Sequence, residues 1–268
     1  MSKPRLKEIN PPGVHPLDSA AKARIAELAK RQHGAQGLLM KLVSLVGGQV
    51  EDGMKMLPAP VRGRVDGLAR AALRQSYHLA ARSRGPLALR RALGTDRAHK
   101  MAATLSGALG GVGGLATASV EIPIATTMIF RAVQGVAESH GEDPLAEETR
   151  LECLRVFGAG APGEGDDGVD TAFLGARLGL TGSALHGLIA KIAPRFAALL
   201  GQKLAIQAVP VLGAAAGAGT NYAFIDYYTE VAHVHFGLRA LVRAHGEDAV
   251  LDQFHRDLAA LRKPLLRA

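Results

Sequence analysis

The chain has 268 residues, of which 48% are hydrophobic but only 4% aromatic and none tryptophan, and it carries a net charge of +8. Alanine, leucine and glycine dominate, which favours closely packed helices over a sheet of β-branched and aromatic residues and predicts an all-α chain with a sizeable core. The single cysteine, Cys153, excludes an internal disulfide and fits a reducing compartment as a buried, inert thiol.

The opening MSKPRLKEINPPG is polar and proline-rich, without an apolar core of signal-peptide type, so cytoplasmic residence is expected. Residues 1–17 read as a loose segment and 18–268 as one helical domain. Asp18 or Ser19 caps a helix through AAKARIAELAKRQ, and Gly34 is expected to stop it. A second run, Leu38 to Leu57, is loosened by Gly47 and Gly48. Pro58 and Pro60 break the chain before an arginine-studded amphipathic helix from Val61 to Ala81. Gly85-Pro86 makes a turn, and Leu87 to Leu93 a short helix.

Charge is concentrated here. Between Arg62 and Lys100, nine arginines and one lysine oppose two acids, Asp66 and Asp96, so this segment alone carries +8. A solvated helical face, contact with anionic lipid and contact with nucleic acid are the competing explanations. Nucleic acid is disfavoured, because Tyr77 is the only aromatic available for stacking and no recognition motif occurs. The lipid reading assigns the contact to Arg62, Arg64, Arg70, Arg74, Arg82, Arg84, Arg90 and Arg91.

Two uncharged stretches follow, Met101 to Val120 and Leu204 to Ile225. In the first, Gly107 and Gly111 are four apart, as are Gly110 and Gly114. Such pairs share a helix face and form a groove that admits a second backbone. Gly213, Gly217 and Gly219 repeat the pattern in the second stretch. Twenty residues suffice to cross a bilayer, yet Met101 to Val120 holds only six large apolar side chains beside five glycines and four hydroxyl residues. Gln207, Pro210 and Asn221 interrupt the other. Close packing of buried helices is the expectation for both, ahead of membrane insertion.

Beyond Pro123 a helix is expected to run to about Ser139, ended by His140-Gly141. Pro144 starts the next, with Glu147 and Glu148 early enough to favour its dipole. Residues 158–170 form a glycine- and acid-rich loop whose spacing fails the EF-hand pattern. Helices resume with Ser183 to Leu200, Tyr222 to Ala244, and Asp248 to Arg262. A shift of 105 residues places Gly114 on Gly219, Glu121 on Asp226, and His140-Gly141-Glu142-Asp143 on His245-Gly246-Glu247-Asp248, although only seven of 45 positions are identical. The pattern reads as two glycine-rich helical hairpins packed into a single bundle.

At GGVGGLATASVEIPIATTMIFRAVQGVAESHGEDP the chain resembles the EcsC family of bacterial proteins. The likeness continues in TRLECLRVFGAG and returns in VPVLGAAAGAGTNYAFIDYYTEVAHVHF, covering roughly Asp18 to His245. Where that family usually carries an aromatic residue before the helix-ending glycine, this chain has His140. The family takes its name from a protein encoded beside an ABC transporter. The resemblance therefore implies membrane association and a transporter as one candidate partner, and it implies no agreed activity.

Glu121 and Asp226 are the candidate catalytic residues, with Asn221 nearby in sequence. If the two glycine grooves pack together, a shared buried carboxylate pair would form a proton relay or a metal ligand. The bland alternative has each acid flanking a helix N-terminus. His233 and His235 are two apart and point to different faces of one helix, so they do not chelate together. Asp252 and His255 share a face without a further ligand. HExxH, GxSxG, Walker A and dinucleotide fingerprints are all absent, and no cofactor is assigned. Two function classes stay open: a non-enzymatic helical protein docking on anionic lipid or a membrane partner, and an enzyme built on Glu121, Asp226 and Asn221.

Overall fold

The computed structural model describes residues 15–45, 59–82, 118–158, 182–207 and 213–262. Among them the fold is all-α. Seven helices follow in order: α1 Ser19–Leu45, α2 Ala59–Arg82, α3 Ala118–Ser139, α4 Glu147–Val156, α5 Gly182–Gln207, α6 Gly213–His245 and α7 Glu247–Arg262. The loop expected at 158–170 and the stretch 101–117 lie outside the described residues, apart from the buried Gly158.

Helix α1 begins as its sequence requires: the Asp18 carboxylate accepts the Ala21 backbone N–H at 2.7 Å. It does not stop at Gly34. A glycine costs a helix interior about 1 kcal/mol, whereas burying a leucine or isoleucine side chain contributes about 1.5–3 kcal/mol. Ile25 and Leu28 before the glycine and Ala35 just after it are all buried, so tertiary packing carries the helix through.

Helix α6 is the axis of the bundle. Val231, Ala232 and Phe236 face the main core, shared with α2, α3, α4 and α5. Val234 and Leu238 face a second core made with Ile25, Leu28 and Ala29 of α1 and Val250, Phe254 and Leu258 of α7. A helix buried on both sides shows little amphipathic periodicity. Close backbone approach is needed at Gly237, where a Cβ would stand 2.8 Å from Cδ2 of Leu28. The glycines expected to matter were others: Gly213, Gly217 and Gly219 occupy the first turns of α6.

The second uncharged stretch is described only at its two ends. Residues 204–207 end α5, residues 208–212 lie outside the described residues, and Gly213 opens α6. From there α6 continues unbroken to His245, through Asp226, so no turn separates a glycine-rich helix from a following one. Likewise α3 begins at Ala118, ahead of Glu121 and Pro123. Near a helix start, proline forfeits a single backbone bond. No helix among the described residues is long and apolar enough to cross a membrane.

The two HGED tetrapeptides do terminate helices alike. Gly141 and Gly246 adopt φ of +82° and +83°, the left-handed conformation that glycine takes without penalty. At the first, the Gly141 and Glu142 amides donate to the carbonyls of Glu138 and Ala137, both at 3.0 Å, a Schellman closure. At the second, Gly246 N–H donates to Val242 O at 2.9 Å.

Candidate functional site

Helix α2 separates its residues by face. Val65, Ala69, Ala72, Leu73, Ser76 and Tyr77 recur at helical spacing and are buried. Two contacts fix that face: the Ser76 and Thr127 hydroxyls meet at 3.2 Å, and the Arg150 guanidinium lies 4.7 Å from the Tyr77 ring centre. The opposite face exposes Arg64 and Arg74, with Arg70 half-buried. Arg70 Nε donates to Asp66 Oδ2 at 2.7 Å, an exposed i, i+4 pair of small energetic weight. Arg62 and Arg82 lie in the first and last turns of α2, and Arg84, Arg90 and Arg91 lie outside the described residues.

The candidate carboxylates part company. Glu121 sits in the first turn of α3, where a negative charge suits the helix dipole, and is 7% exposed. Asp226 is half-buried in the interior of α6, so the helix-start explanation fails for it. Asn221 precedes it on the same helix. Among the described residues no group of three or more His, Cys, Asp or Glu side chains is placed to hold a metal ion.

A buried charge network among the described residues is one that sequence reasoning missed. Helix α4 stacks Glu148, Glu152 and Arg155 at i, i+4 and i+7, and α6 opposes them with His235, Arg239 and Arg243 at i, i+4 and i+8. Glu152 accepts from Arg155 Nη1 at 2.8 Å, from His235 Nε2 at 2.9 Å and from Arg239 Nη1 at 3.1 Å. Arg239 also reaches Glu142 through Nε at 3.2 Å and Glu148 through Nη2. Arg243 closes the network on Glu142. Three carboxylates balance three guanidiniums, and His235 donates from Nε2.

Burial pushes the Glu152 carboxyl up, but the His235 hydrogen bond and the charges of His235, Arg155 and Arg239 outweigh it. The carboxyl is held below its ordinary value. Arg239 is likewise pulled down by burial and held up more strongly by Glu152, Glu148 and Glu142. With three donors on it, the Glu152 carboxylate locks α4 to α6 and is poorly placed to act as a base. The signal was present in the sequence as complementary charges at helical spacing, ExxxExxR against HxxxRxxxR. It went unread because the two runs are some 80 residues apart, as the separation of 83 between His235 and Glu152 shows.

Cys153 is fully buried beside this network, and burial, with Glu152 and Glu142, pushes its thiol well above the ordinary value. That matches an inert thiol.

The model of the EcsC protein family matches residues 25–241, most of the chain. The chain belongs to the EcsC family. No curated relative and no solved structure matches it. In this EcsC protein the matched region takes in the arginine face of α2 and the α4–α6 charge network as far as Arg239, and it stops inside α6, two residues short of Arg243.

Proposed function

We propose that this EcsC protein is a non-enzymatic helical protein that docks peripherally on an anionic membrane surface, at the cytoplasmic face, through the outer face of α2. The observation that carries this reading is the one-sidedness of α2: its apolar face is spent on the core while Arg64 and Arg74 face solvent beside Arg70. Each arginine near an anionic surface contributes about 1 kcal/mol. Three give weak, reversible adhesion, and the neighbouring Arg62, Arg82, Arg84, Arg90 and Arg91 add to it if they meet the same surface. Such binding falls with salt, since the screening length shrinks to about 3 Å at 1 M.

Flotation with protein-free vesicles tests it. Binding is expected to anionic vesicles and not to neutral ones, with loss in high salt and a drop of about tenfold or more on replacing Arg64, Arg70 and Arg74 by Gln. Anionic-vesicle binding indifferent to both salt and substitution would remove this mechanism. Binding to native membranes alone would replace lipid by a membrane-protein partner, for which a transporter is the candidate that family resemblance offers.

One observation favours a second reading, an enzyme. Glu121 is a carboxylate buried on α3, and α3 packs against α6, which carries Asp226 and Asn221. Under that reading the Glu121→Gln, Asp226→Asn double variant loses a small-molecule-induced shift in thermal stability seen in the wild type. A screen in which wild type and double variant respond alike to every ligand leaves the pair without a catalytic role.

A further inference from the structure

Nε2 of His140 and Nδ1 of His233 stand 3.2 Å apart, and the ring centres lie 5.5 Å apart with planes inclined at 62°. The nitrogen separation plus the two ring radii already accounts for the whole distance between centres, so both nitrogens lie on the line joining the rings. A metal ion shared by two imidazoles would sit off that line and draw the rings closer. One proton held between a donor nitrogen and an acceptor nitrogen fits the arrangement.

His140 is the residue immediately before the left-handed Gly141, and His233 lies in the body of α6. Charges near His140 come from α1 and from the turn after α3. From α1 come Arg24, paired with Glu27 at 2.5 Å, and Arg31, paired with Glu230 of α6 at 3.6 Å. The last turn of α3 adds the exposed Glu138. The turn beyond it adds Glu142, which Arg239 and Arg243 hold. Burial first, then Arg24 and Arg31, keep the His140 imidazole below the ordinary value of 6.5 against the pull of Glu142.

We propose that the His140–His233 pair is a proton-operated latch: one shared proton between an N–H of one ring and the bare nitrogen of the other ties the C-terminal cap of α3 to α6, and protonation of both rings, in mild acid, releases it. With both rings cationic no acceptor nitrogen remains, and the two charges repel across a half-buried contact. Because the folded state protonates His140 less readily than the unfolded chain does, the latch's contribution is intact above 6.5 and is lost as pH falls below it. Release reaches past the cap. Glu142 stands two residues beyond His140 and anchors Arg239 and Arg243, so opening loosens the outer half of the α4–α6 network.

Amide hydrogen exchange on the full chain tests the latch. After correction for the intrinsic pH dependence, the Gly141 and Glu142 amides are expected to lose about tenfold or more of their protection between about pH 7.5 and about pH 5. The Ala21 amide, capped by Asp18, keeps its protection. In His140→Phe, which keeps a ring and removes the titrating nitrogens, the acid response disappears. Protection of Gly141 and Glu142 unchanged by pH in the wild type, or an identical acid response in His140→Phe, overturns the proposal. Should that variant not fold, ring-nitrogen titration of the wild type decides it. Two coupled steps, the second below 6.5, support the latch, and two independent titrations at the ordinary value sink it.

Discussion

Replacing Glu152 by alanine is expected to cost about 3–5 kcal/mol, because it strands buried cations rather than because it removes an attraction. Arg155 and His235 have side chains only 2% and 5% exposed, and Arg239 15%. Without the carboxylate the two guanidiniums lose the partner that offsets their desolvation, and the His235 ring loses its acceptor. For a chain of this size about 1 kcal/mol moves the melting temperature by about 2–4 °C, so a fall on the order of 10 °C is expected in calorimetry. Adding Arg155→Met to Glu152→Ala should restore part of the loss, since one stranded cation is then gone. A Glu152→Ala protein as stable as the wild type would show that the network carries no load.

The same group sets an acid limit. Its folded value is depressed, so its contribution is fully present above the unfolded value of 4.5 and is lost as pH falls through the folded value below that. Stability measured from about pH 6 downward should therefore decline more steeply in the wild type than in Glu152→Gln below 4.5. This window lies beneath the one in which the histidine latch opens, and the two effects separate by pH.

Phe157→Ala is expected by itself to cost about 3–5 kcal/mol, from lost burial and a cavity among packed aromatic rings. Phe157 is fully buried and contacts Phe130, Phe196 and Tyr228 at ring-centre distances of 6.0, 5.3 and 4.9 Å. Three aromatic partners leave little room for the site to collapse. Tyr228→Phe in the same cluster should behave in the opposite way. The Tyr228 hydroxyl is buried with no partner among the described residues, and burial pushes its phenol well above the ordinary value. Removing an unsatisfied hydroxyl is neutral or stabilising, within about 0.5 kcal/mol of the wild type. Chemical denaturation measures both variants. A loss above about 1 kcal/mol in Tyr228→Phe would mean that the hydroxyl has a partner, such as a buried water.

Local chemistry was legible wherever a few neighbouring residues decide it. The Asp18 cap, the arginine-studded α2 with its buried Val65–Tyr77 face, the helix end at His140-Gly141 and the burial of Cys153 all follow from spacing and composition. Gly34 and Pro123 misled for the same physical reason: local penalties of about one bond or 1 kcal/mol are smaller than the burial gained by continuing the helix. Asp226 misled because a charge after an uncharged run looks like a boundary, although a helix lined on two sides by packed neighbours tolerates it half-buried. The cluster around Glu152 was hidden by distance along the chain.

By itself, then, the sequence determined that this protein is helical, that its positive charge gathers on one segment, where several helices begin and end, and which family it resembles. Helicity and the helix ends depend on residues within a turn or two of each other, and the charge and the family likeness are read along the chain without its folding. The tertiary structure alone decided that α6 is the shared wall of two cores, that Gly237 is the glycine pressed against Leu28, and that Glu152, His235 and Arg239 form one network. It also decided that the rings of His140 and His233 meet. Those facts depend on which helix faces meet across long stretches of chain, 83 residues between Glu152 and His235 and 93 between the two histidine rings. Side-chain spacing along one helix carries no record of which other helix it will touch.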